Sequence, residues 1–205
     1  MQSARARLPR TVWVLGLVSL LMDLSSEIYH ALLPAFLTVT LALPVVAMGA
    51  IDGIAEASAS FAKLASGRLS DRSRRRKPWL LLGYGLAALS KPLFPLAASA
   101  WPVLGARFAD RIGKGIRGSP RDAMIADETP AEIRGAAYGL RQSLDTLGAL
   151  LAPLAAMALM FALASNVRAV FWIAAVPALL SFLLALFVLR ESRGTSATEG
   201  PQPFF

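Results

Sequence analysis

Six mainly apolar stretches run almost end to end through this chain, and they fix the solvent it folds in before any motif is read. They are Thr11 to Leu41, Val45 to Leu69, Trp79 to Ala98, Trp101 to Ala126, Gly135 to Ala164 and Val170 to Leu189. A helix of roughly 20 apolar residues crosses the hydrocarbon core of a bilayer. Inside that core each backbone N–H and C=O must be satisfied within its own segment, which selects helices. A soluble alternative fails on composition, because 56% of the 205 residues are hydrophobic and the mean hydropathy is +0.55, too apolar for a surface that must meet water. The expected fold class is therefore an all-α membrane protein of six transmembrane helices, with the lipid bilayer as its first partner.

The formal net charge of +8 invites a nucleic-acid reading, but the positions of the charges argue against one. Arg5, Arg7 and Arg10 precede the first span, Arg72 and Arg74 to Lys77 separate the second from the third, and Arg190 and Arg193 follow the sixth. The connectors Thr40 to Pro44 and Ser99 to Ala100 carry no charge, and the last carries only Arg168. Basic residues concentrated on one side mark the cytoplasmic side. Both termini are then cytoplasmic, as an even number of spans requires. The expected organisation is a cytoplasmic N-terminus (1–10), a six-helix domain (11–191) with a hinge at 127–134, and a polar, disordered cytoplasmic tail (192–205). A signal peptide is the lesser reading of the start, since the first apolar run is long and contains acidic residues. No cysteine is present, which removes disulfides and thiolate chemistry.

Trp13, Trp79, Trp101 and Trp172 fall near span ends, where indoles favour the interface. Pro34, Pro92, Pro95, Pro120, Pro153 and Pro177 fall inside spans and predict kinked, mobile helices. The pairs Gly49/Gly53 and Gly135/Gly139 have the spacing for close helix packing.

The most informative feature is fifteen charged residues within or at the ends of the spans, eight basic and seven acidic. A central charge costs about 2.5 to 3.5 kcal/mol to insert, so these side chains must face protein or water. Helical spacing agrees: Asp23, Glu27 and His30 share a face, as do Asp52, Glu56 and Lys63, and as do Arg107, Arg111, Lys114, Arg117 and Arg121. Glu27, Glu56, Arg111 and Lys114 lie near the midplane at matching depths, so they are expected to line one cavity. Asp23, Glu27, Asp52, Glu56, Arg107, Arg111, Lys114 and Asp145 form the candidate solute or coupling set. A structural network of ion pairs that fixes helix register is the competing reading. For His30 alone, hydrogen-bonded structure is favoured over a proton carrier or metal ligand, and its grouping with Asp23 and Glu27 is not specific for metal.

At this point the residues resemble a known family. Gly67-Arg-Leu-Ser-Asp71-Arg72-Ser-Arg-Arg75-Arg76 is similar to the G-x-x-x-D-R-x-G-R-R motif between the second and third helices of the major facilitator superfamily, with Arg74 in place of the second glycine. Arg107-Phe-Ala-Asp-Arg-Ile-Gly113-Lys-Gly115, running on to Pro120 and Asp127, resembles the R-x-x-x-G-x-G fourth helix, with Arg111 at the first of its usual glycines. Arg134-Gly135 matches the start of the fifth helix. Gly148-Ala-Leu-Leu-Ala152-Pro153 departs from the G-x-x-x-G-P antiporter signature by one alanine, which weakens an export-by-antiport reading. Asp110-Arg-Ile-Gly-Lys-Gly-Ile-Arg117 followed by Pro120-Arg-Asp122 is similar to a prokaryotic subgroup.

The resemblance implies a 3+3 inverted repeat forming half of a superfamily bundle, in a prokaryotic plasma (inner) membrane, that transports a small polar or charged solute by alternating access. It implies a proton-coupling or binding role for Arg107, and a gate motif of Gly67, Asp71, Arg72, Arg75 and Asp127. Members normally have twelve helices. This chain would then act with a second copy or a separate second half, or be a truncated remnant. A channel-like pore is the rival for transport. An intramembrane enzyme is not expected, with one histidine, no cysteine and no G-x-S-x-G turn. Neither cofactor, metal nor nucleic acid is implied. The balance of acids and bases suits a zwitterion, an anion at Arg107 and Arg111, or a cation at Glu27 and Glu56, with a lean toward an anionic or amphipathic solute.

Overall fold

The computed structural model describes residues 8–42 and 45–191, without the side chains of 45–48 and 51. The expected tail at 192–205, together with Arg5 and Arg7, lies outside the described residues. Helix α1 (Arg10–Ala35) runs into a π-turn (Phe36–Thr40). It is followed by α2 (Val45–Ser73), α3 (Lys77–Ser90), the short α4 (Leu93–Leu96), α5 (Ala100–Glu128), a 3-10 turn (Ala131–Ile133), α6 (Arg134–Ala162) and α7 (Val167–Val188). All six expected spans are present, with α3 and α4 together forming the third. It breaks at Lys91–Pro92 because proline has no N–H to continue the ladder; the Lys91 amide instead bonds the Ala88 carbonyl at 3.3 Å. Pro34, Pro120, Pro153 and Pro177 stand inside continuous helices.

Four of the spans are long and apolar enough to cross a membrane on length and composition alone: Arg10–Thr40, Lys77–Leu96, Ala131–Ala162 and Val167–Val188. The other two, α2 and α5, carry most of the intramembrane charge, and they cross by packing against each other along their length. Side chains such as Phe161, Phe187 and Leu154 stay exposed on the outer surfaces, where lipid is as good a solvent as a protein core.

The packing order contains the repeat. Helix α1 packs along α6 and α7, α5 packs along α2 and α3, and α3 meets α7. Exchanging the first span with the fourth, the second with the fifth and the third with the sixth maps every one of these pairs onto another or onto itself. Spans related by this exchange are three crossings apart and therefore run in opposite directions, as an inverted repeat requires. The closest backbone approaches obey the same exchange. Gly148 of α6 faces the Leu20 carbonyl of α1, and Gly115 of α5 faces the Ala59 carbonyl of α2. On the other seam Gly113 and Gly83 bring α5 and α3 together, and a Cβ on Gly83 would lie 2.7 Å from the Gly113 oxygen. Gly49, Gly53, Gly135 and Gly139, expected to make such contacts, have nothing within 4 Å. Their spacing is right for close packing, but their helix faces point out of this bundle.

Two apolar clusters bracket the polar middle. Val12, Leu15, Leu80, Tyr84 and Met124 fill the arginine-rich end, and Tyr29, Phe36, Phe94 and Phe171 fill the opposite one. Gly83→Ala is expected to lower the stability of the detergent-solubilised protein by about 1 to 3 kcal/mol, the usual cost of overpacking. Gly53→Ala, in open space, should leave the thermal unfolding curve in place.

Candidate functional site

The site begins with α5, whose inward charges would be untenable without partners. The partners come from three neighbours, α1, α2 and α6. Arg107 donates from Nε to Asp52 Oδ1 of α2 at 2.7 Å and from Nη2 to His30 Nδ1 of α1 at 2.6 Å. Arg111 Nη1 lies 3.4 Å from Glu56 Oε2 of α2. Arg117 Nη2 lies 3.8 Å from Asp23 Oδ1 of α1, with its guanidinium 4.9 Å from the Tyr84 ring centre. Arg121 reaches Asp145 Oδ2 of α6 at 3.6 Å and donates to Ser19 Oγ of α1 at 2.7 Å. Asp145 also accepts from Arg141, one turn earlier on α6, at 2.9 Å.

One acid on α5 turns the other way. Asp110 accepts from Lys91 Nζ at 2.9 Å, and Lys91 also donates to Ser26 Oγ at 2.9 Å. Their side chains are only 4% and 1% exposed, so this pair belongs to the bundle interior. Removing one member would strand a buried charge, which costs far more than the intact pair contributes.

Between α1, α5 and α6 these charges leave an open cleft of about 300 Å3 lined by Asp23, Glu27, Lys114, Arg117, Arg121, Gln142, Asp145 and Thr146, among others. Four of the sequence-predicted residues, Asp23, Glu27, Lys114 and Asp145, therefore share one cavity. The other four, Asp52, Glu56, Arg107 and Arg111, form paired contacts along the α2–α5 seam beside it. Glu56 and Arg111, expected to share a cavity with Glu27 and Lys114, do not line this cleft; Arg111 is drawn to Glu56 on α2 instead. Within the cleft, Arg117 is paired with Asp23 and Arg121 with Asp145. Glu27 and Lys114 make no ion pair among the described residues. Arg117 Nη1 and Asp145 Oδ1 are buried there without a hydrogen-bond partner. No group of three His, Asp or Glu side chains among the described residues is placed to hold a metal ion.

At the arginine-rich end a second cluster ties the helix ends together. Arg76 donates to Asp71 at the end of α2, to Asp127 Oδ2 near the end of α5 at 3.2 Å, and to Ser70 Oγ at 3.1 Å. Glu191, beyond α7, accepts from the backbone amides of Arg76 and Lys77 at 2.8 and 3.1 Å, satisfying free N–H groups at the start of α3. Burial is the largest influence on the Arg76 guanidinium and opposes its charge. The bonds and charges of Asp71 and Asp127 outweigh it and hold its pKa above the ordinary value.

The basic member of this cluster is thus Arg76. Arg72 and Arg75, expected beside Asp71, are exposed and in no ion pair among the described residues. The cause is local. Arg74 sits at φ 53°, a left-handed conformation that favours glycine, and this turn carries Arg76 rather than Arg75 back under the bundle. Gly67 faces Ser119 of α5, so it serves the α2–α5 seam.

Sequence reasoning left Arg76, Arg117, Arg121 and Gln142 out of the candidate set. For Arg117 and Arg121 the signal was available, since they continue the Arg107–Arg111–Lys114 face. For Arg76 it was hidden, because the register of a turn is decided by its φ angles.

An all-helical bundle built as an inverted repeat, with a charged cleft opening on one face, defines a class of membrane transport protein. Residues 15–204 match the Major Facilitator Superfamily. An uncharacterized MFS-type transporter of Methanocaldococcus jannaschii is 31% identical over 92% of this chain and 47% of its own length. An uncharacterized protein of Mycobacterium tuberculosis is 33% identical over 78% of this chain and 39% of its own. The fold is similar to that of a bacterial homolog of the human lysosomal transporter Spinster, crystallised inward-facing and unoccupied, with a TM-score of 0.79 at 21% identity, covering 98% of this chain and 47% of that one. It is also similar to a peptide transporter POT in complex with sulfate, with a TM-score of 0.76 at 18% identity over 90% of this chain and 38% of that one. The chain belongs to the major facilitator superfamily, and it spans less than half the length of these relatives.

Arg76→Ala is expected to lower the stability of the solubilised protein by about 1 to 3 kcal/mol, because Asp71 and Asp127 lose their shared donor. Arg75→Ala should stay within about 0.5 kcal/mol of the wild type, and thermal unfolding of the two variants side by side checks the assignment.

Proposed function

We propose that this chain is one six-helix half of a secondary transporter that moves a small polar or charged solute by alternating access, coupled to protons, in a prokaryotic inner membrane with both termini cytoplasmic. The observation that carries the reading is the cleft beside α5, in which the Arg117–Asp23 and Arg121–Asp145 contacts leave Glu27 and Lys114 unmatched. A lone acid and a lone base in one cavity suit a solute that brings both signs of charge, so a zwitterion is favoured over a simple anion.

A purely structural network accounts less well for the same residues. Charges that only set helix register gain nothing from staying unpaired beside a cavity, where each still carries its desolvation cost. The Arg76 cluster supports alternating access, because it ties α2, α3 and α5 at one end only and would have to open for that end to part.

The charged face also bears on how the half works. Asp52, Glu56, Lys114 and His30 are partly or largely exposed across α1, α2 and α5, and a lipid-facing position for them is excluded on cost. A second six-helix unit covering this face accounts for both the exposure and the doubled length of the relatives. A second copy of this chain or a separate second half can supply it. In a symmetric pair the exposed Asp71 of one chain approaches the open N-terminal turn of α6 at Gly135 in the other, where free N–H groups favour a carboxylate.

In proteoliposomes, uptake of labelled amino acids, short peptides and organic anions is expected to saturate for one class and to respond to an imposed pH gradient. Glu27→Gln and Lys114→Gln should each reduce that flux at least about tenfold, the loss of one charged contact worth about 1.4 kcal/mol, while insertion and helicity are kept. Non-saturating flux would favour a pore, and full flux in both variants would remove the cleft from the path. For the second unit, cysteines at positions 71 and 135 can be oxidised in membranes, since the chain has no native thiol. An intermolecular crosslink is expected for a second copy; no crosslink with monomeric migration would favour a separate second half or a non-functional fragment.

A further inference from the structure

His30 is the chain's single histidine, and its Nδ1 lies 2.6 Å from Nη2 of Arg107. A guanidinium has donors only, so in this arrangement Nδ1 must offer its lone pair. The imidazole is then neutral, with its proton on Nε2. The same guanidinium donates from Nε to Asp52 Oδ1 at 2.7 Å. Arg107 is 3% exposed, and it holds α1 and α2 to α5 at the end of the bundle opposite the Arg76 cluster.

A proton on Nδ1 changes the sign of this contact. The lone pair becomes an N–H directed at a cation, so the hydrogen bond is replaced by repulsion between two donors. Proton and Arg107 therefore compete for one lone pair, and each lowers the affinity of the other. The charged groups facing the ring are Glu27 on its own helix, Asp52 on α2, and Arg107 and Arg111 on α5. The ring itself is exposed on the polar face, where a proton can reach it. Once released, Arg107 keeps Asp52 on α2 and loses its own tie to α1, which stays joined to α5 through Arg117–Asp23 and Arg121–Ser19 further along the helix.

We propose that His30 is a proton acceptor whose protonation releases Arg107, making this one of the ties between α1 and α5 dependent on a proton. In its effect on flux this rests on the transport reading above, since it names the group that would carry the coupling proton. Its chemistry stands apart from that reading and can be read without any solute.

The test uses the full chain, purified without a polyhistidine tag, in lipid nanodiscs, with ring-15N histidine and guanidinium-15N arginine. One histidine gives one pair of ring signals. At pH 8 they should report an unprotonated, hydrogen-bonded Nδ1 and a protonated Nε2. Between pH 8 and 5 they should convert to the imidazolium pattern, with parallel loss of the hydrogen-bonded Arg107 signal. Arg107→Met removes both the donor and the adjacent cation, and should raise the midpoint by about one pH unit, a tenfold gain in proton affinity. His30→Asn places an acceptor that cannot take a proton near the position of Nδ1, and its Arg107 signal should not change from pH 8 to 5.

A ring protonated on Nδ1 at pH 8 would overturn the proposal, and so would one neutral throughout. Titration that leaves the Arg107 signal unchanged, or an unmoved midpoint in Arg107→Met, would do the same. Flux whose pH dependence survives in His30→Asn would remove the coupling role.

Discussion

A cation buried on a membrane helix has to be matched by an acid or by water, and the rest of this bundle is arranged around meeting that condition for α5. The helix brings Arg107, Arg111, Arg117 and Arg121 to bear on α1, α2 and α6, and each finds a carboxylate of its own, the first two on α2 and the others on α1 and α6. Those pairings set the rotation of α5. With α5 fixed, Gly113 and Gly115 fall where the backbones of α3 and α2 approach most closely, and Asp110 falls against Lys91 in the interior. Small residues and charge pairs do the work here because lipid offers no hydrophobic drive for one apolar helix to seek another.

The same pairings are distributed unevenly along the bundle. The arginine-rich end is closed by Arg76 between two carboxylates, with Glu191 capping α3. Toward the opposite end Arg107 reaches both a titratable imidazole and a half-exposed carboxylate. Between them lies a cleft whose lining is charged beyond what its own pairs consume. A bundle meant only to be stable would close that cleft with apolar side chains of similar volume, at equal or lower free energy.

Much of this was legible in the residues themselves. Six spans, their approximate limits and the polar face of each charged helix follow from periodicity, since a 3.6-residue repeat and a 30 Å hydrocarbon core leave few alternatives. Asp23, Glu27, Lys114 and Asp145 were recognisable as candidates because a charge inside a span needs a reason to be there. Arg74 was recognisable as a departure from the motif. That it holds the left-handed conformation the missing glycine would have held is a fact of the backbone. Gly49/Gly53 and Gly135/Gly139 show the limit of spacing arguments: the pattern says two backbones can meet, and the partner helix decides whether they do.

The sequence by itself determined that the chain must live in a bilayer, that the described residues hold six spans, and that the charged faces of α2 and α5 cannot meet lipid, because hydropathy and the cost of a bare charge are local properties. Which acid serves which base was decided by tertiary structure alone. Glu27 and Glu56 have the same chemistry and a similar depth, yet one opens on a cleft and the other closes a seam, since pairing depends on which helices are adjacent and how each is turned. His30 is the sharpest case. Read along the chain it is a lone histidine near the end of a span, and only the fold sets a guanidinium against its Nδ1 and so settles where its proton must be.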